Sequence, residues 1–368
     1  MNVPFLDMAF AHAELRDELV EAMQKVLSRG VLILGPEVEA FEADMAQRTG
    51  CRHCVGVGNG FDALKLTLRA WGIGPGDDVL VPLQTAVPTW MAVSDVGATP
   101  VPVDIDPETY TMDPELLEAA ASARCKAIVP VHLYGQPADM APIMAFARER
   151  GIKVLEDVAQ AQGARYGGAP CGSLAHAAAF SFYPTKNLGA LGDAGAVVTD
   201  DGDLAARVRK LRNYGSAQKN TNACIGSNSR LDELQAAFRR VKLRYLDRWI
   251  AQRRSLARLY SERLGNIAGL KVPRERTGSE HAYHLYVVRN ARRDELARRL
   301  SDRGIGTLIH YERTPRDQPC YRDLPDCERA MPVGEALARE ALSLPLYPQL
   351  GADRVEDVCA AVRDAVGR

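Results

Sequence analysis

Lys186 is a candidate nucleophile because of the segment that carries it. It is the only lysine in FSFYPTKNLGALGDAGAVV (180–198), whose other side chains are mostly apolar or small, and Pro184 and Gly189 flank it. A lysine with few polar neighbours loses its proton readily, and the free amine can attack an aldehyde to form an imine. The alternative is a solvated lysine on a surface loop, the usual environment of this residue type.

Asp157 is the second candidate. It ends the segment IKVLED (152–157), which has the pattern of a buried strand. An isolated buried carboxylate is costly, so it needs a strong partner, and the protonated ring nitrogen of a bound heterocycle is one such partner. The alternative is that Asp157 is the N-cap of a helix over VAQAQG.

The segment GNGFD (58–62) is a candidate anion site. It follows the apolar run CVGV and opens a helical pattern, so free backbone N–H groups would face a bound anion. Its glycine spacing is not the dinucleotide fingerprint, and a plain glycine turn is the alternative. Together, an amine, a carboxylate and an anion site match the aldehyde, ring nitrogen and phosphate of pyridoxal 5'-phosphate, so the sequence predicts this cofactor.

The elements around these residues predict an α/β fold. Short apolar runs alternate with helical patterns between about residues 54 and 200; the runs are CVGV, VLVP, ATPVPVDI, KAIVPVHL, IKVLED, AAAFSF and GAVVTD. Such runs indicate buried strands of a mainly parallel sheet. Ligands bind beyond the carboxyl ends of the strands in such sheets, where Asp157, Ser181 and the GNGFD segment would all lie.

The pattern changes after about residue 230. A long helical stretch runs from Leu231 to Leu264, followed by AYHLYVVR, the helical segment RDELARRLSDRG, the apolar segment IGTLIHY, which we expect to be a strand, and a C-terminal helix. We expect a large cofactor-binding α/β domain over residues 1–245 and a smaller C-terminal α+β domain over residues 246–368.

Composition limits the class of partner. Lysine and arginine (46) nearly balance aspartate and glutamate (47), so neither nucleic acid nor a membrane surface is an expected partner. The chain shows no signal-peptide pattern and no apolar stretch long enough for a membrane helix, which favours a cytoplasmic protein. Eight cysteines without regular spacing indicate reduced thiols; Cys51 and Cys54 form one isolated CxxC, and we expect no metal site. No partner is visible in the sequence for His132, His176, His281 or His284.

The chain resembles the fold-type I, pyridoxal phosphate-dependent sugar aminotransferases of the DegT/DnrJ/EryC1/StrS family, which act on nucleotide-linked keto sugars. The matching blocks occur in family order from about residue 30 to 311. They are LILGPEVEAFE, NGFDALKL, GIGPGDDVLVP, GATPVPVDIDPETYTMDP, KAIVPVHLYGQPADM, LEDVAQAQGARY, FSFYPTKNLGALGDAGAVVTDD, LRNYGS, GSNSRLDELQAA and GIGTLIHY.

The resemblance implies roles for individual residues. Lys186 would bond covalently to the cofactor and shuttle a proton, and Asp157 would pair with the pyridinium nitrogen. The other cofactor contacts would be Gln160 at the ring, and Gly60, Phe61 and Ser181 at the phosphate. Asn228 would reach the phosphate of a neighbouring subunit, which implies a homodimer with shared active sites. Arg230 is a candidate for the amino-acid carboxylate, and Tyr183, His310 and Tyr311 for the sugar.

Several positions depart from the family pattern or have a simpler interpretation. Phe61 replaces a frequent Thr or Ser, so only its backbone could contact phosphate, and Ala86 stands where many relatives stack an aromatic ring on the cofactor. The remaining departures are Gln162 for His, Ala194 for Gly and Glu312 for Pro. From the residues alone, Asn228 could cap the following helix. His310 could be an interior histidine whose hydrogen bonds are satisfied.

The resemblance favours transamination from L-glutamate to a dTDP-linked 3-keto-6-deoxyhexose. The alternatives are a 4-keto sugar aminotransferase, a sugar dehydratase of the same fold, and a non-catalytic sugar-binding regulatory protein. Dehydratase relatives replace the imine-forming lysine, whereas Lys186 is present here. A nicotinamide oxidoreductase would also be α/β, but the glycine spacing does not fit one.

Overall fold

The computed structural model describes residues 2–218, 220–324 and 329–367. Its main sheet has seven strands in the order β1-β9-β8-β5-β4-β2-β3. The strands of this sheet are β1 (His53–Val57), β2 (Asp78–Pro82), β3 (Thr99–Val103), β4 (Cys125–Ile128), β5 (Lys153–Asp157), β8 (Ala177–Ser181) and β9 (Gly195–Thr199). The shorter strands are β6 (Arg165–Tyr166), β7 (Ala169–Pro170), β10 (Ser216–Gln218), β11 (Thr221–Asn222), β12 (Ser279–Glu280), β13 (Tyr286–Arg289) and β14 (Ala341–Leu344).

Helices cover both faces of the main sheet and form most of the C-terminal region. They are α1 (Met8–Ala13), α2 (Arg16–Arg29), α3 (Pro36–Thr49), α4 (Gly60–Ala70), α5 (Val87–Asp95), α6 (Leu117–Ala120), α7 (Met140–Arg150), α8 (Gly202–Leu211), α9 (Glu233–Leu243), α10 (Leu246–Leu264), α11 (Arg293–Ser301), α12 (Pro332–Glu340) and α13 (Ala352–Val366). Within the described residues, every helix is too short or too polar to cross a lipid bilayer.

The predicted mainly parallel sheet is confirmed. β2, β3, β4, β5 and β8 run parallel, whereas β9 is antiparallel to both β8 and β1. Each of the seven apolar runs contains one strand. Successive side chains point to opposite faces, and both faces are buried: Ala177 and Ala179 belong to one core, Ala178 and Phe180 to the other. This double burial explains why the runs are continuously apolar.

The carboxyl ends of six strands, all except β9, share one edge of the sheet. β1 lies two strands from β8 across the reversed β9, so β1 and β8 point the same way. The segments that follow β1, β2, β5 and β8 therefore converge. The chain enters α4 after β1 and α5 after β2. Asp157 is the last residue of β5, and the Lys186 loop follows β8.

The C-terminal region has its own core, in which the Tyr260 and Tyr286 rings stack with centroids 4.7 Å apart. The chain's beginning joins this core, because the Val3 N–H donates to the Gly304 carbonyl at 2.8 Å. β13 pairs with β14, so the predicted α+β character is present. The division at residue 245 stays a prediction.

Two local expectations were wrong. The helical stretch from Leu231 to Leu264 is broken between α9 and α10, because α9 packs on α2 and α3 whereas α10 packs on α13. IGTLIHY forms no continuous strand. Its backbone pairs with neighbouring segments at isolated bridges, Val3 with Ile305 and Leu308 with Ser343. The apolar residues of this segment cover the C-terminal core without continuous pairing.

Candidate active site

Asp157 is buried at the end of β5, with 4% of its surface exposed. Its Oδ1 accepts the Ala159 N–H at 3.0 Å, and its Oδ2 accepts the Thr89 hydroxyl at 2.9 Å. Burial raises the pKa of Asp157, while these two donors and the charge of Lys186 favour the ionised form. The helix N-cap alternative was wrong, since residues 158–164 form turns and not a helix.

Lys186 lies on the tight loop that follows β8. Its backbone N–H donates to the Tyr183 carbonyl at 2.8 Å. Gly189 is required for this turn, because a Cβ there would lie 2.0 Å from the Pro184 carbonyl oxygen. Burial lowers the pKa of Lys186 to about 8, although the Asp157 charge acts in the opposite direction. A substantial fraction of this side chain is therefore unprotonated near pH 8.

Helix α9 holds the Lys186 loop in place. The Gln235 amide accepts the Leu191 N–H at 3.1 Å and donates to the Leu191 carbonyl at 3.0 Å. The Lys242 Nζ, which is itself buried, donates to the Gly189 carbonyl at 2.8 Å. The loop that carries the candidate nucleophile is thus fixed at both Gly189 and Leu191.

The start of α4 lies at the predicted anion site. We call residues 59–61 together with Ser181 the anion cradle. Asn59 is the N-cap, and its Oδ1 accepts the Asp62 N–H at 2.8 Å. No described residue accepts a hydrogen bond from the backbone N–H of Gly60 or Phe61. Gly60 lies directly against Ser181 at the end of β8. The helix N-terminus and the Ser181 hydroxyl therefore face the same space, which suits a phosphate group.

We predict that Gly60→Ala weakens phosphate binding. The added Cβ would lie 2.4 Å from the Ser181 Cβ, so the helix start must move away from the strand. We expect a loss of about tenfold or more in cofactor affinity, comparable to losing one or two charge-assisted hydrogen bonds. Titration of the apoprotein with pyridoxal 5'-phosphate measures it. Gly74→Ala, in the turn before β2, is the matched control, because a Cβ there would meet only the Val96 carbonyl oxygen at 3.4 Å. Equal affinities for wild type and Gly60→Ala would contradict the cradle.

A hydrogen bond joins Gln160, which follows β5, to Tyr311 of the C-terminal region. The Gln160 Nε2 donates to the Tyr311 hydroxyl at 2.9 Å, and its Oε1 accepts the Tyr134 N–H at 2.6 Å. Burial raises the pKa of Tyr311 to about 12, so its phenol stays neutral. Gln160 is therefore held as a fixed amide between the large sheet and the segment 304–311.

His310 faces Lys186 and has a hydrogen-bond partner. Its Nδ1 lies 2.8 Å from the Ser343 Oγ, and its carbonyl accepts the Tyr134 hydroxyl. Burial and the Lys186 charge lower the pKa of His310 to about 4. The ring is neutral at physiological pH, so it can exchange hydrogen bonds with a ligand without adding charge.

Three predicted site residues have side chains that are exposed or bonded elsewhere. Tyr183 is 53% exposed, and Asn228 is exposed beside Asn213, with which it forms an isolated bridge. Arg230 donates to the Asn213 Oδ1 at 3.2 Å and lies 5.3 Å above the Tyr214 ring. Asn228 does not cap the next helix, since the N-cap of α9 is Asp232.

Two site residues were missed from the sequence. Thr89 bonds Asp157, and its place after β2 puts it at the same sheet edge, which was the available signal. His284 is 7% exposed, its Nδ1 has no partner among the described residues, and burial and the Lys186 charge lower its pKa well below the usual value. No spacing in the sequence connects His284 with Lys186.

His132 has a buried partner that the sequence did not reveal. Its Nε2 lies 2.9 Å from the Glu156 Oε2, and the Cys171 thiol is close to both. The His132 Nδ1 accepts the Ala138 N–H at 2.9 Å, so the proton is on Nε2 and is donated to Glu156. Because both ring nitrogens are already engaged, this cluster supports the end of β5 and is not arranged for a metal ion.

The departure at Gln162 has a structural consequence. Its Nε2 donates to the Ser181 carbonyl at 2.6 Å and so fixes one residue of the anion cradle. Ala86, the N-cap of α5, offers no ring to stack on a cofactor.

The chain is similar to known proteins over almost its whole length. Residues 13–363 match the family described as DegT/DnrJ/EryC1/StrS aminotransferases. The chain is 48% identical to a dTDP-3-amino-3,4,6-trideoxy-alpha-D-glucose transaminase of Streptomyces venezuelae, over 99% of this chain and 96% of that one. It is 50% identical to the erythromycin biosynthesis sensory transduction protein EryC1 of Saccharopolyspora erythraea, over 99% of both.

A solved structure has the same fold. The crystal structure of S. venezuelae DesV in complex with a ketimine intermediate superposes with a TM-score of 0.97 at 47% identity, covering 100% of this chain and 99% of that one. The predicted α/β aminotransferase fold is therefore confirmed.

Proposed function

The chain belongs to the DegT/DnrJ/EryC1/StrS aminotransferase family, and on that premise we propose that it transfers the amino group of L-glutamate to C-3 of a dTDP-linked 3-keto-6-deoxyhexose, with pyridoxal 5'-phosphate as its cofactor. The observation that carries this proposal is the pairing of Lys186, with its lowered pKa, and the buried carboxylate Asp157 at one sheet edge.

The residues present fit the cofactor. Lys186 would bond to its aldehyde carbon and Asp157 would face its ring nitrogen. The amides of Gly60 and Phe61, with the Ser181 hydroxyl, would hold its phosphate, and a side chain at position 60 would fill that space. Gln160 would contact the ring. When bound, the cofactor supplies an electron sink that stabilises negative charge on the carbon next to the transferred nitrogen.

Each of these side chains has a task that follows from its surroundings. Once released from the cofactor, the Lys186 Nζ, unprotonated in part because of burial, would take a proton from the substrate carbon that bears the nitrogen and deliver it to the cofactor carbon. Asp157 stays ionised because Thr89 and Ala159 donate to it, so it can hold the ring nitrogen protonated. His310 and Tyr311, both neutral, would line the site from the C-terminal region without adding charge.

A homodimer is part of the same proposal. Asn228 points away from its own core and is exposed, as expected of a residue that reaches a neighbouring site. Exposed apolar side chains flank this segment at Tyr214 and Ile225. Three more, Val31, Leu32 and Ile33, belong to a segment that forms a bridge with Asp232. A monomeric mass by light scattering would contradict this arrangement.

A panel assay tests the reaction. We expect purified enzyme with pyridoxal 5'-phosphate and glutamate to convert a dTDP-3-keto-6-deoxyhexose to its 3-amino product, with one 2-oxoglutarate formed per amine. Product mass and NMR identify the aminated carbon. Turnover only with 4-keto sugars would contradict C-3 amination but leave the aminotransferase assignment intact.

A regulatory function is the second candidate, because a relative of 50% identity is named for sensory transduction. A purely sugar-binding protein has no use for a reactive amine and a buried acid at one site. An absorbance spectrum distinguishes the enzymatic function from the regulatory one. The enzyme with cofactor should have a visible absorbance band that glutamate bleaches. A protein without that band after saturation with pyridoxal 5'-phosphate would favour regulation.

A further inference from the structure

The hydroxyl of Thr89 makes the side-chain hydrogen bond to Asp157. The Thr89 Oγ1 donates to Asp157 Oδ2 at 2.9 Å, and the Thr85 Oγ1 lies 3.1 Å from the Thr89 Oγ1. All three side chains are buried, with exposures of 1% for Thr85, 2% for Thr89 and 4% for Asp157. Thr85 and Thr89 come from the loop after β2 and the first turn of α5, so the contact joins two elements at the sheet edge.

The direction of this chain follows from the charge. An ionised carboxylate has no proton to donate, so the Thr89 hydrogen must point at Asp157. The Thr89 oxygen is then an acceptor for Thr85. Each link polarises the next towards the negative charge, which strengthens hydrogen bonds in a low-dielectric interior. A hydroxyl that donates to the carboxylate therefore favours the ionised form of Asp157 over the protonated one.

We propose that Thr89, supported by Thr85, is a positioning residue that keeps Asp157 ionised and fixes its carboxylate against the ring nitrogen of the cofactor. The inference rests on the proposed function, because it needs a ring nitrogen at Asp157. The Ala159 N–H holds Oδ1 and the Thr89 hydroxyl holds Oδ2, so both oxygens of the carboxylate are fixed.

The other groups around Asp157 do not replace Thr89. Lys186 contributes positive charge, but its amine is needed for the cofactor. Tyr311 is a neutral phenol bonded to Gln160, and the His132 ring donates to Glu156. Thr89 is therefore the side-chain donor that remains when Lys186 is engaged.

The test measures binding of pyridoxamine 5'-phosphate, which forms no covalent bond, to the apoenzyme. Thr89→Val keeps the shape and removes the hydroxyl, and we expect its dissociation constant to rise about tenfold, as for a lost hydrogen bond to a charged group. Thr89→Ser should bind within about twofold of wild type, and Thr85→Val should lose about threefold. Thr49→Val, a buried helical threonine whose hydroxyl donates to the Met45 carbonyl, is the matched control.

The pH dependence gives a second readout. Affinity should fall as the pH is lowered and Asp157 takes up a proton. Because loss of the Thr89 donor favours the protonated carboxyl, this fall should occur at a higher pH in Thr89→Val than in wild type. A cofactor analogue with carbon in place of the ring nitrogen has nothing for Asp157 to pair with. Wild type and Thr89→Val should bind that analogue equally.

The outcomes separate the two hypotheses. Equal weakening of both ligands by Thr89→Val would mean a packing role, and wild-type affinity at all pH values would mean no role; either overturns the inference. If Thr89→Val does not fold, Thr85→Val carries the test. If Asp157→Asn binds pyridoxamine 5'-phosphate as wild type does, the assignment of Asp157 in the proposed function fails instead.

Discussion

Replacing Lys186 with alanine is expected to lower kcat by about 10⁴-fold or more, because the nucleophile and the group that moves the proton are removed together. Its surroundings should remain intact, since Gln235 and Lys242 hold the loop through backbone atoms and do not depend on the Lys186 side chain. Steady-state assays give kcat, and circular dichroism reports the fold. The variant should also lack the visible band of the cofactor-bound enzyme.

Lys242→Met is the matched control for this result. Burial lowers the pKa of Lys242 to about 8, as it does for Lys186. Its Nζ, however, donates to the Gly189 carbonyl and lies 3.1 Å from the His12 Nε2, away from the site. We expect the variant to retain a covalently bound cofactor. If Lys186→Ala kept the band and Lys242→Met, in which Gln235 still holds the Lys186 loop at Leu191, lost it, the nucleophile would be misassigned.

Asp157→Asn is expected to lower kcat by roughly 10²- to 10³-fold, the loss typical of breaking a buried ion pair. Asparagine has the same shape but cannot keep the ring nitrogen protonated. The pKa of Asp157 is raised in the folded protein, so its ionised form contributes no stability at neutral pH. The apoprotein should therefore unfold at a temperature no lower than that of wild type, while activity is lost.

The neighbouring buried acid is the control for this substitution. Glu156 accepts the backbone N–H groups of Gly172, Leu174 and Ala175, and it is bonded to His132. Glu156→Gln disturbs these bonds, so we expect a lower unfolding temperature with cofactor still bound. A stability loss for Asp157→Asn equal to that of Glu156→Gln, with kcat retained, would assign Asp157 a structural role.

The chemistry of the site could be predicted because it sits at strand ends. Apolar runs locate buried strands, parallel strands share an edge, and the polar residues that follow them must meet there. This argument placed Asp157, Ser181, Lys186 and the GNGFD segment correctly at one edge. The resemblance added Gln160, His310 and Tyr311, which no periodicity indicated.

Contacts between distant segments could not be predicted. Thr89 and Asp157 are 68 residues apart, and His310 bonds Ser343 from a segment without regular pairing. The break between α9 and α10 depends on which surfaces the two helices cover, not on their shared apolar period. The role predicted for Asn228 requires a neighbouring subunit and that predicted for Arg230 requires a bound amino acid, so both roles stay predictions.

The central claim is that one amine, the side-chain nitrogen of residue 186, is joined to a vitamin B6 aldehyde. Borohydride reduction of the cofactor-saturated enzyme, followed by peptide mass mapping, tests it most directly. The account predicts a reduced pyridoxyl group on the tryptic peptide that contains Lys186, at about one per chain. A label on any other lysine, or none in saturated protein, would contradict it.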